Sequence, residues 1–241
     1  MAVMTGEVAD EPAEASENPF FESFSLPFAM PPFDQIEDTH FKPAMERGME
    51  EHLAEIEQIA NNADAPTFEN TIVAMERSGQ TLNRTLRVFS NLNGADTNDA
   101  RQAIQREMSP RLSAHQDAIQ LNPALFARVE ALYEQREELS LDSEALRVLE
   151  DYHRDFVRAG AQLDDEQKAR LREINTALAN LGTQFSQNVL SEVNDSAIVV
   201  DTAEQLAGLN EAEIQAAADE AERREMPGSY VLTLMNTSGQ P

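Results

Sequence analysis

Apolar side chains recur every three or four residues through most of the chain, which is the spacing of one helix face. In the first such segment, between positions 41 and 61, the apolar positions are Phe41, Met45, Met49, Leu53, Ile56 and Ala60. Five further segments repeat the spacing, and short links that contain helix-capping residues separate them. The pattern predicts six helices and a mainly α fold, built as a helical bundle or a stack of helical hairpins.

The second helix is predicted to begin after Thr67, an N-cap residue. Its apolar face runs from Phe68 to Phe89 and ends near Gly94. Gly79 stands on this face where a larger side chain is expected, which indicates that another helix passes close to it.

The third helix is predicted to begin after the capping residues 96–99, with Pro110 inside it. Because proline lacks the backbone N–H of the helical ladder, we expect Pro110 to kink or divide the helix. The predicted inward positions are Ile104, Met108, Leu112, His115 and Ile119.

Three more helices follow. Asn122-Pro123 opens the fourth, and Asp142 or Ser143 opens the fifth, which places either Tyr152 or His153 inward. The sixth begins near residues 164–165, and its apolar positions form one continuous stripe: Leu171, Ile174, Leu178, Leu181, Phe185 and Val189.

The pattern changes near residue 194. Short β-branched runs at 196–200 and 230–234 predict two strands, with a helix over 210–225 between them, so residues 193–241 are predicted to form a β-α-β segment. Because a lone strand pair is marginally stable, we expect the chain to be truncated and the strands to pack with segments beyond Pro241.

Two segments precede the helices. Residues 1–17 are predicted to be a disordered acidic lead-in, and residues 18–39 an extended arm, with the helical domain over residues 40–192. Dense prolines exclude a helix from the arm, while its aromatic content exceeds that of a solvated linker. The arm is therefore expected to lay its rings across the protein body: Phe20, Phe21, Phe24, Phe28 and Phe33.

The net charge of the chain disfavours some classes of binding partner. The 44 acidic and 18 basic residues give a net charge of -26, which disfavours binding to nucleic acid or to an anionic membrane surface. Cationic peptides would be attracted, although a solvated surface explains the same composition. No apolar run is long enough for a membrane span. The acidic N-terminus is unlike a presequence, so we expect a cytoplasmic protein, or a periplasmic one if an export signal was removed.

Candidate chemistry is sparse. The chain has no cysteine, and none of His40, His52, His115 and His153 lies three or four residues from another histidine. His52 and Glu55 could share a metal, but an exposed or capped polar pair is the interpretation that we favour. The carboxylate pair Glu51 and Glu55 is uninformative in so acidic a chain. No catalytic or metal residue is assigned, and the substrate-binding residues are left open.

Several stretches nevertheless resemble one family. They include LPFAMPPFDQIEDTHFKPAMERGMEEHLAEIEQIANN, PTFENTIVAMERSGQTLNRTLRVFSNLNGADTND, LREINTALANLGTQFSQNVL and the tail GSYVLTLMNTSGQP. In this order they are similar to the N-terminal part of zinc metallopeptidases of the thimet oligopeptidase and oligopeptidase A family. The tail favours the peptidyl-dipeptidase branch, and the resemblance covers residues 18–241.

The resemblance implies the N-terminal part of the neurolysin-like zincin fold, in which a helical shell encloses a channel. The implied activity is the release of dipeptides from the C-terminus of short oligopeptides. The implied cofactor is zinc, held by a later catalytic region of the same protein. The chain would then supply channel wall, bind no zinc and be inactive alone.

Two other interpretations remain open: an independent all-helical binding or scaffold module, and the N-terminal part of an oligopeptidase A-like endopeptidase. Uncovered strand edges and apolar surface also predict that the isolated chain self-associates.

Overall fold

The computed structural model describes residues 18–233 and confirms a mainly α fold with a small two-stranded sheet. The predicted acidic lead-in, residues 1–17, and the tail, residues 234–241, lie outside the described residues. The α-helices of the described chain are α1 (Asp38–Ala60), α2 (Ala74–Arg77), α3 (Gln80–Ala95), α4 (Asp99–Gln120), α5 (Pro123–Glu134), α6 (Ser143–Arg158), α7 (Asp165–Asp195) and α8 (Glu211–Arg223).

The chain divides into two compact units after Asn180, within α7. The first unit contains the arm, α1 to α6 and the beginning of α7. The second contains the rest of α7, the two strands and α8. The domain boundary expected at residue 192 also falls inside α7.

The arm packs only in part as predicted. Phe20 is fully buried, and its ring lies 5.3 Å from that of Phe41 on α1, centroid to centroid. Arg84 holds the same segment by donating a 2.6 Å hydrogen bond to the Phe20 carbonyl. Phe28, however, is fully exposed and Phe33 is half exposed, so the prediction was wrong for these two rings. The reason is a 3-10 turn over Pro27–Ala29, in which Phe28 adopts a φ of 61°.

The predicted second helix is divided into three pieces. Thr67 caps it as expected, but a π-helical turn over Phe68–Val73 leads into α2, and α3 starts only after Gly79. Gly79 has a φ of 67°, and a Cβ there would lie 2.8 Å from Nδ1 of His52 on α1. A neighbouring helix is therefore close, as predicted, but the backbone also breaks at this point, because a left-handed residue cannot continue a right-handed helix.

Pro110 has less effect than predicted. The α4 helix runs without division from Asp99 to Gln120, so the alternative of a divided helix was wrong. A proline removes one N–H donor from the ladder, and a long helix packed against neighbours retains the other hydrogen bonds.

Capping residues predicted from the sequence are confirmed at three other helices. The side chains of Asn98, Asn122 and Asp142 each accept a backbone N–H at the start of α4, α5 and α6. On α1 the predicted apolar face is buried apart from Leu53, which is exposed, and Ala60, which is partly buried.

Two apolar clusters form the core of the first unit. One joins the arm to the start of α1, to α3 and to α4, and the other joins the end of α1 to α4, α5 and α6. The most deeply buried members of the first are Phe20, Phe41, Met45 and Met108, and those of the second are Ile72, Leu125, Val129 and Leu149.

In the second unit, β1 (Ile198–Val200) and β2 (Tyr230–Leu232) pair antiparallel, with Val199 opposite Val231. The predicted strands and intervening helix are therefore present. Val231 is buried, whereas Ile198 and Val199 are about half exposed.

The apolar stripe of α7 is present but largely uncovered by the described residues. Its exposed fractions are 40% for Ile174, 62% for Leu178, 61% for Leu181, 69% for Phe185 and 45% for Val189. Large apolar side chains repeated at helical spacing normally face a partner.

Candidate functional site

A cleft of about 520 Å³ opens between α1, α2, α4 and α6 in the first unit. Its volume falls in the range of about 300–1,000 Å³ that is usual for small-molecule sites. The floor is apolar and consists of Ile56, Met75, Ile119, Val148 and Phe156. The polar lining consists of His52, Glu76, Ser78, Asn83, Gln116, Gln120, Asp151, Tyr152 and Asp155.

One residue of the cleft lining, His52, belongs to a histidine pair whose second member, His115, is not itself a lining residue. His52 on α1 and His115 on α4 are joined by a hydrogen bond of 3.0 Å between Nδ1 of the first ring and Nε2 of the second. His115 is buried, and its Nδ1 has no hydrogen-bond partner within residues 18–233. Because a single proton lies between the two rings, the arrangement requires at least one of them to be neutral.

Burial also favours the neutral state of both rings. It lowers the pKa of His52, against a smaller opposite effect from Glu55. Burial, reinforced by His52, lowers the pKa of His115 to about 4. At neutral pH the histidine pair is therefore uncharged.

A tyrosine–carboxylate pair also lines the cleft. The Tyr152 hydroxyl on α6 donates a 2.7 Å hydrogen bond to Oε1 of Glu76 on α2. Burial, followed by the hydrogen bond and the negative charge of Glu76, raises the pKa of Tyr152. The hydroxyl therefore stays protonated and holds the carboxylate at the rim.

The other two carboxylates of the rim have cationic partners on their own helix. Asp151 lies 3.1 Å from Nε of Arg147 and also contacts Arg154, which lies 3.3 Å from Asp155. Arg147 and Arg154 are not among the lining residues. The charged side chains that line the cleft are therefore carboxylates, without a Lys or Arg among them.

The sequence-predicted candidates lie in different places. His40 accepts the Glu37 N–H at the start of α1, so it is a capping residue. His153 stacks on Tyr133, with the ring centroids 3.8 Å apart. Either Tyr152 or His153 was expected to point inward. Both are half-buried, so neither is the single inward residue.

The charge of Glu55 acts on His52, as the interpretation of an exposed or capped polar pair implies, but each side chain bonds a different partner. Glu55 accepts the Gly79 N–H at 2.7 Å, while His52 bonds His115. Glu51 pairs instead with Arg47 at 2.7 Å, so the two carboxylates of the Glu51 and Glu55 pair have separate partners.

The family resemblance implies a zinc ion. The part of the chain that the structure describes offers no suitable set of zinc ligands. Residues 18–233 contain no group of three or more His, Asp or Glu placed to hold a metal ion. In the His52–His115 pair, one nitrogen of each ring is engaged by the hydrogen bond between them. No described helix is both long and apolar enough to cross a membrane.

Sequence reasoning missed both polar pairs of the cleft. His52 and His115 are 63 positions apart, and Glu76 and Tyr152 are 76 apart. The only signals were the inward position predicted for His115 and the ambiguity between Tyr152 and His153. Neither signal identifies the hydrogen-bond partner on the other helix.

The sequence of this chain is similar to the sequences of two groups of known proteins. No family model matches the chain. The dipeptidyl carboxypeptidase of Salmonella typhimurium is 42% identical over 94% of this chain, and that of Escherichia coli is 42% identical over 93%. The oligopeptidase A of Haemophilus influenzae is 31% identical over 85%.

The matched region is a part of each relative. This chain spans 33% of the length of both dipeptidyl carboxypeptidases and 30% of that oligopeptidase A. The resemblance predicted from the sequence is confirmed: the chain is similar to bacterial dipeptidyl carboxypeptidases along a third of their length, and more distantly to oligopeptidase A.

Proposed function

We propose that this chain forms the N-terminal, channel-wall region of a zinc metallopeptidase that releases dipeptides from the C-terminus of short oligopeptides. The identity of 42% to dipeptidyl carboxypeptidases, against 31% to an oligopeptidase A, supports the dipeptide-releasing branch. The proposed partners are oligopeptide substrates and the catalytic region of the same protein.

The exposed stripe of α7 is the structural observation that best supports this role. Leu178, Leu181 and Phe185 are each more than 60% exposed on one face of a single helix. Exposed apolar side chains in a row are typical of a surface that another protein segment covers. The matched relatives are about three times as long as the matched region, so the remainder of a complete peptidase is the occupant that we propose.

The chain alone is proposed to be inactive. Metal-activated water is the chemistry that zinc supplies in such peptidases, and it needs a set of ligands that the described residues do not provide. The zinc ligands would belong to the catalytic region, with this chain shaping access to it.

Two purified proteins test the proposal: this chain, and the complete protein encoded by the same gene. Each is incubated with zinc and a blocked tripeptide, and released dipeptide is measured. We expect release by the complete protein only. Release by the chain at an enzyme-like rate would overturn the proposed inactivity, and no release by the complete protein would overturn the assignment to the dipeptide-releasing branch.

The same assay separates the alternatives. An oligopeptidase A-like endopeptidase would cut longer peptides internally and leave the blocked tripeptide intact. An independent scaffold module would have no H-E-x-x-H coding sequence downstream of this region. We also propose a cytoplasmic location, with the periplasm as the alternative, which cell fractionation decides.

A further inference from the structure

The middle of the arm is exposed, although both of its ends are fixed to the first unit. Before the exposed part, Phe20 is fully buried and Arg84 donates a hydrogen bond to its carbonyl. After it, Ile36 packs against the same apolar cluster. Residues 25–30, between these anchors, are all exposed. The arm is therefore a loop with two fixed ends and a solvent-exposed tip.

The exposed side chains at this tip are large and apolar. Phe28 is 100% exposed, and the exposed fractions of Leu26, Met30 and Phe33 are 43%, 55% and 51%. Residues 23–33 contain no charged side chain, so the tip differs from the acidic remainder of the chain. Because large side chains each offer about 200 Å² of surface, these four together, the arm patch, expose about 500 Å². Apolar patches of that size are often functional.

The backbone of the tip is ordered by contacts of its own. Three prolines fix φ at their positions, and the Ala29 N–H donates a 3.0 Å hydrogen bond to the Leu26 carbonyl. Phe28 and Ala29 have φ values of 61° and 53°, a left-handed conformation that non-glycine residues rarely adopt without compensating contacts. The fully exposed Phe28 ring gains no such compensation from the described residues. An aromatic side chain presented on a fixed turn is typical of a binding surface, because little freedom is lost when a partner binds.

We propose that the arm patch docks into an apolar depression of the catalytic region of the same protein, with Phe28 as the central anchor. This inference rests on the proposed function, because it requires a longer peptidase of which this chain is one part. The matched dipeptidyl carboxypeptidases provide the room for such a partner, since this chain spans 33% of their length. The arm patch is then a second surface, besides the α7 stripe, that the catalytic region covers.

The size of the arm patch favours this occupant over a second copy of the chain. A stable interface between separate proteins buries about 800 Å² on each partner, which is more than the arm patch provides. A partner in the same polypeptide needs less area, because the covalent link gives it a high effective concentration. The net charge of -26 disfavours the other apolar surroundings that could receive the tip, those of an anionic membrane.

Substitutions at the two left-handed positions test the docking. Phe28→Asn removes the ring, and asparagine adopts this conformation more readily than phenylalanine does. The melting temperature is therefore expected to stay equal or rise in the isolated chain, but to fall by about 2 °C or more in the complete protein, where the covered ring is lost. No fall in the complete protein, or an equal fall in the isolated chain, would overturn the proposal.

Ala29→Asn is the matched control, because it changes the neighbouring left-handed residue without removing a large apolar group. No fall in melting temperature is expected in either protein. Equal falls for Phe28→Asn and Ala29→Asn in the complete protein would show that the ring has no special role, and would also overturn the proposal.

Hydroxyl-radical labelling, read by mass spectrometry, identifies the occupant. Oxidation of Phe28 and Met30 is compared in the isolated chain and the complete protein, each at several concentrations. We expect most of the oxidation to be lost in the complete protein at every concentration. Protection that appears only at high concentration would assign the arm patch to a second copy and overturn the proposal. Co-sedimentation of the complete protein with phosphatidylcholine vesicles, abolished by Phe28→Asn, would overturn it in favour of a membrane.

The dipeptide-release assay reports on the proposed function separately. An arm patch that stays oxidised in a complete protein that releases dipeptide would refute this inference alone. An arm patch that is protected in a complete protein without dipeptide release would support the docking and refute only the dipeptide-releasing assignment.

Discussion

His52 and His115 share a hydrogen bond of 3.0 Å although they belong to different helices, α1 and α4. The bond joins two imidazoles that burial keeps neutral. Protonation of either ring works against the packing of the two helices. The pair therefore makes the stability of the first unit depend on pH.

We expect the free energy of unfolding to fall as the pH is lowered from 7.5 to 5. The pKa of His115 is about 4 in the folded chain and about 6.5 in an unfolded one. The contribution of His115 to the free energy of unfolding is therefore complete above pH 6.5. It declines below that pH, because the unfolded chain then binds a proton that the folded chain does not bind. The expected loss by pH 5 is about 1–2 kcal/mol from this residue. Urea denaturation at several pH values measures it.

A His115→Gln variant is the control, because the acidic chain loses self-repulsion on acidification and gains stability from that separate effect. The difference between wild type and variant isolates the imidazole. Parallel pH profiles for the two proteins would contradict the prediction.

A Gly79→Ala substitution is expected to destabilise the chain by about 1–3 kcal/mol. The added Cβ would lie 2.8 Å from the His52 ring, and φ at this position is 67°. Gly182→Ala is the matched control, because Gly182 lies inside α7 and a Cβ added there would meet no heavy atom of the described chain within 4 Å. That change should stabilise the helix by up to about 1 kcal/mol. Thermal unfolding followed by circular dichroism compares the two variants. Similar changes in their melting temperatures would refute the predicted clash with the His52 ring.

Arg128 is predicted to be a structural cation of the first unit. It is only 6% exposed, and its guanidinium donates to the Asn62 and Asp64 carbonyls, to Thr71 Oγ1 and to Asn70 Oδ1. Replacing it by methionine would remove the Arg128 donors from the two carbonyls and from the Thr71 hydroxyl oxygen, at a cost of about 2–4 kcal/mol. Chemical denaturation measures the loss.

The control for Arg128 is Arg77→Met, which removes an exposed arginine paired with Glu69. Exposed ion pairs contribute about 0–1 kcal/mol, so little change is expected. Similar destabilisation by both substitutions would contradict the predicted structural role of the buried Arg128.

The isolated chain is predicted to self-associate through the apolar face of α7. Phe185→Lys is expected to shift the chain from dimer or higher oligomer towards monomer without loss of helicity, since Phe185 is 69% exposed. Gln184→Lys adds the same charge at the adjacent exposed position and should leave association unchanged. Light scattering at tens of micromolar chain decides, and a clean wild-type monomer would refute the prediction.

Much of the helical structure followed from local signals in the sequence. Thr67, Asn98, Asn122 and Asp142 start their segments as predicted, because a cap acts on backbone groups two or three residues away. Apolar periodicity likewise spans single turns, so it located α7 and its stripe. The family resemblance added what no residue pattern provided, a likeness to peptidases.

The cleft was decided by tertiary structure. Nothing in the local sequence pairs His52 with His115 or Tyr152 with Glu76, since each contact depends on how separate helices pack. Packing also decided that Gly79 breaks a helix, because the nearby His52 ring and the left-handed backbone act together there. Local periodicity determined the helices and the α7 stripe, while long-range packing determined which residues meet and which apolar faces the described residues leave uncovered.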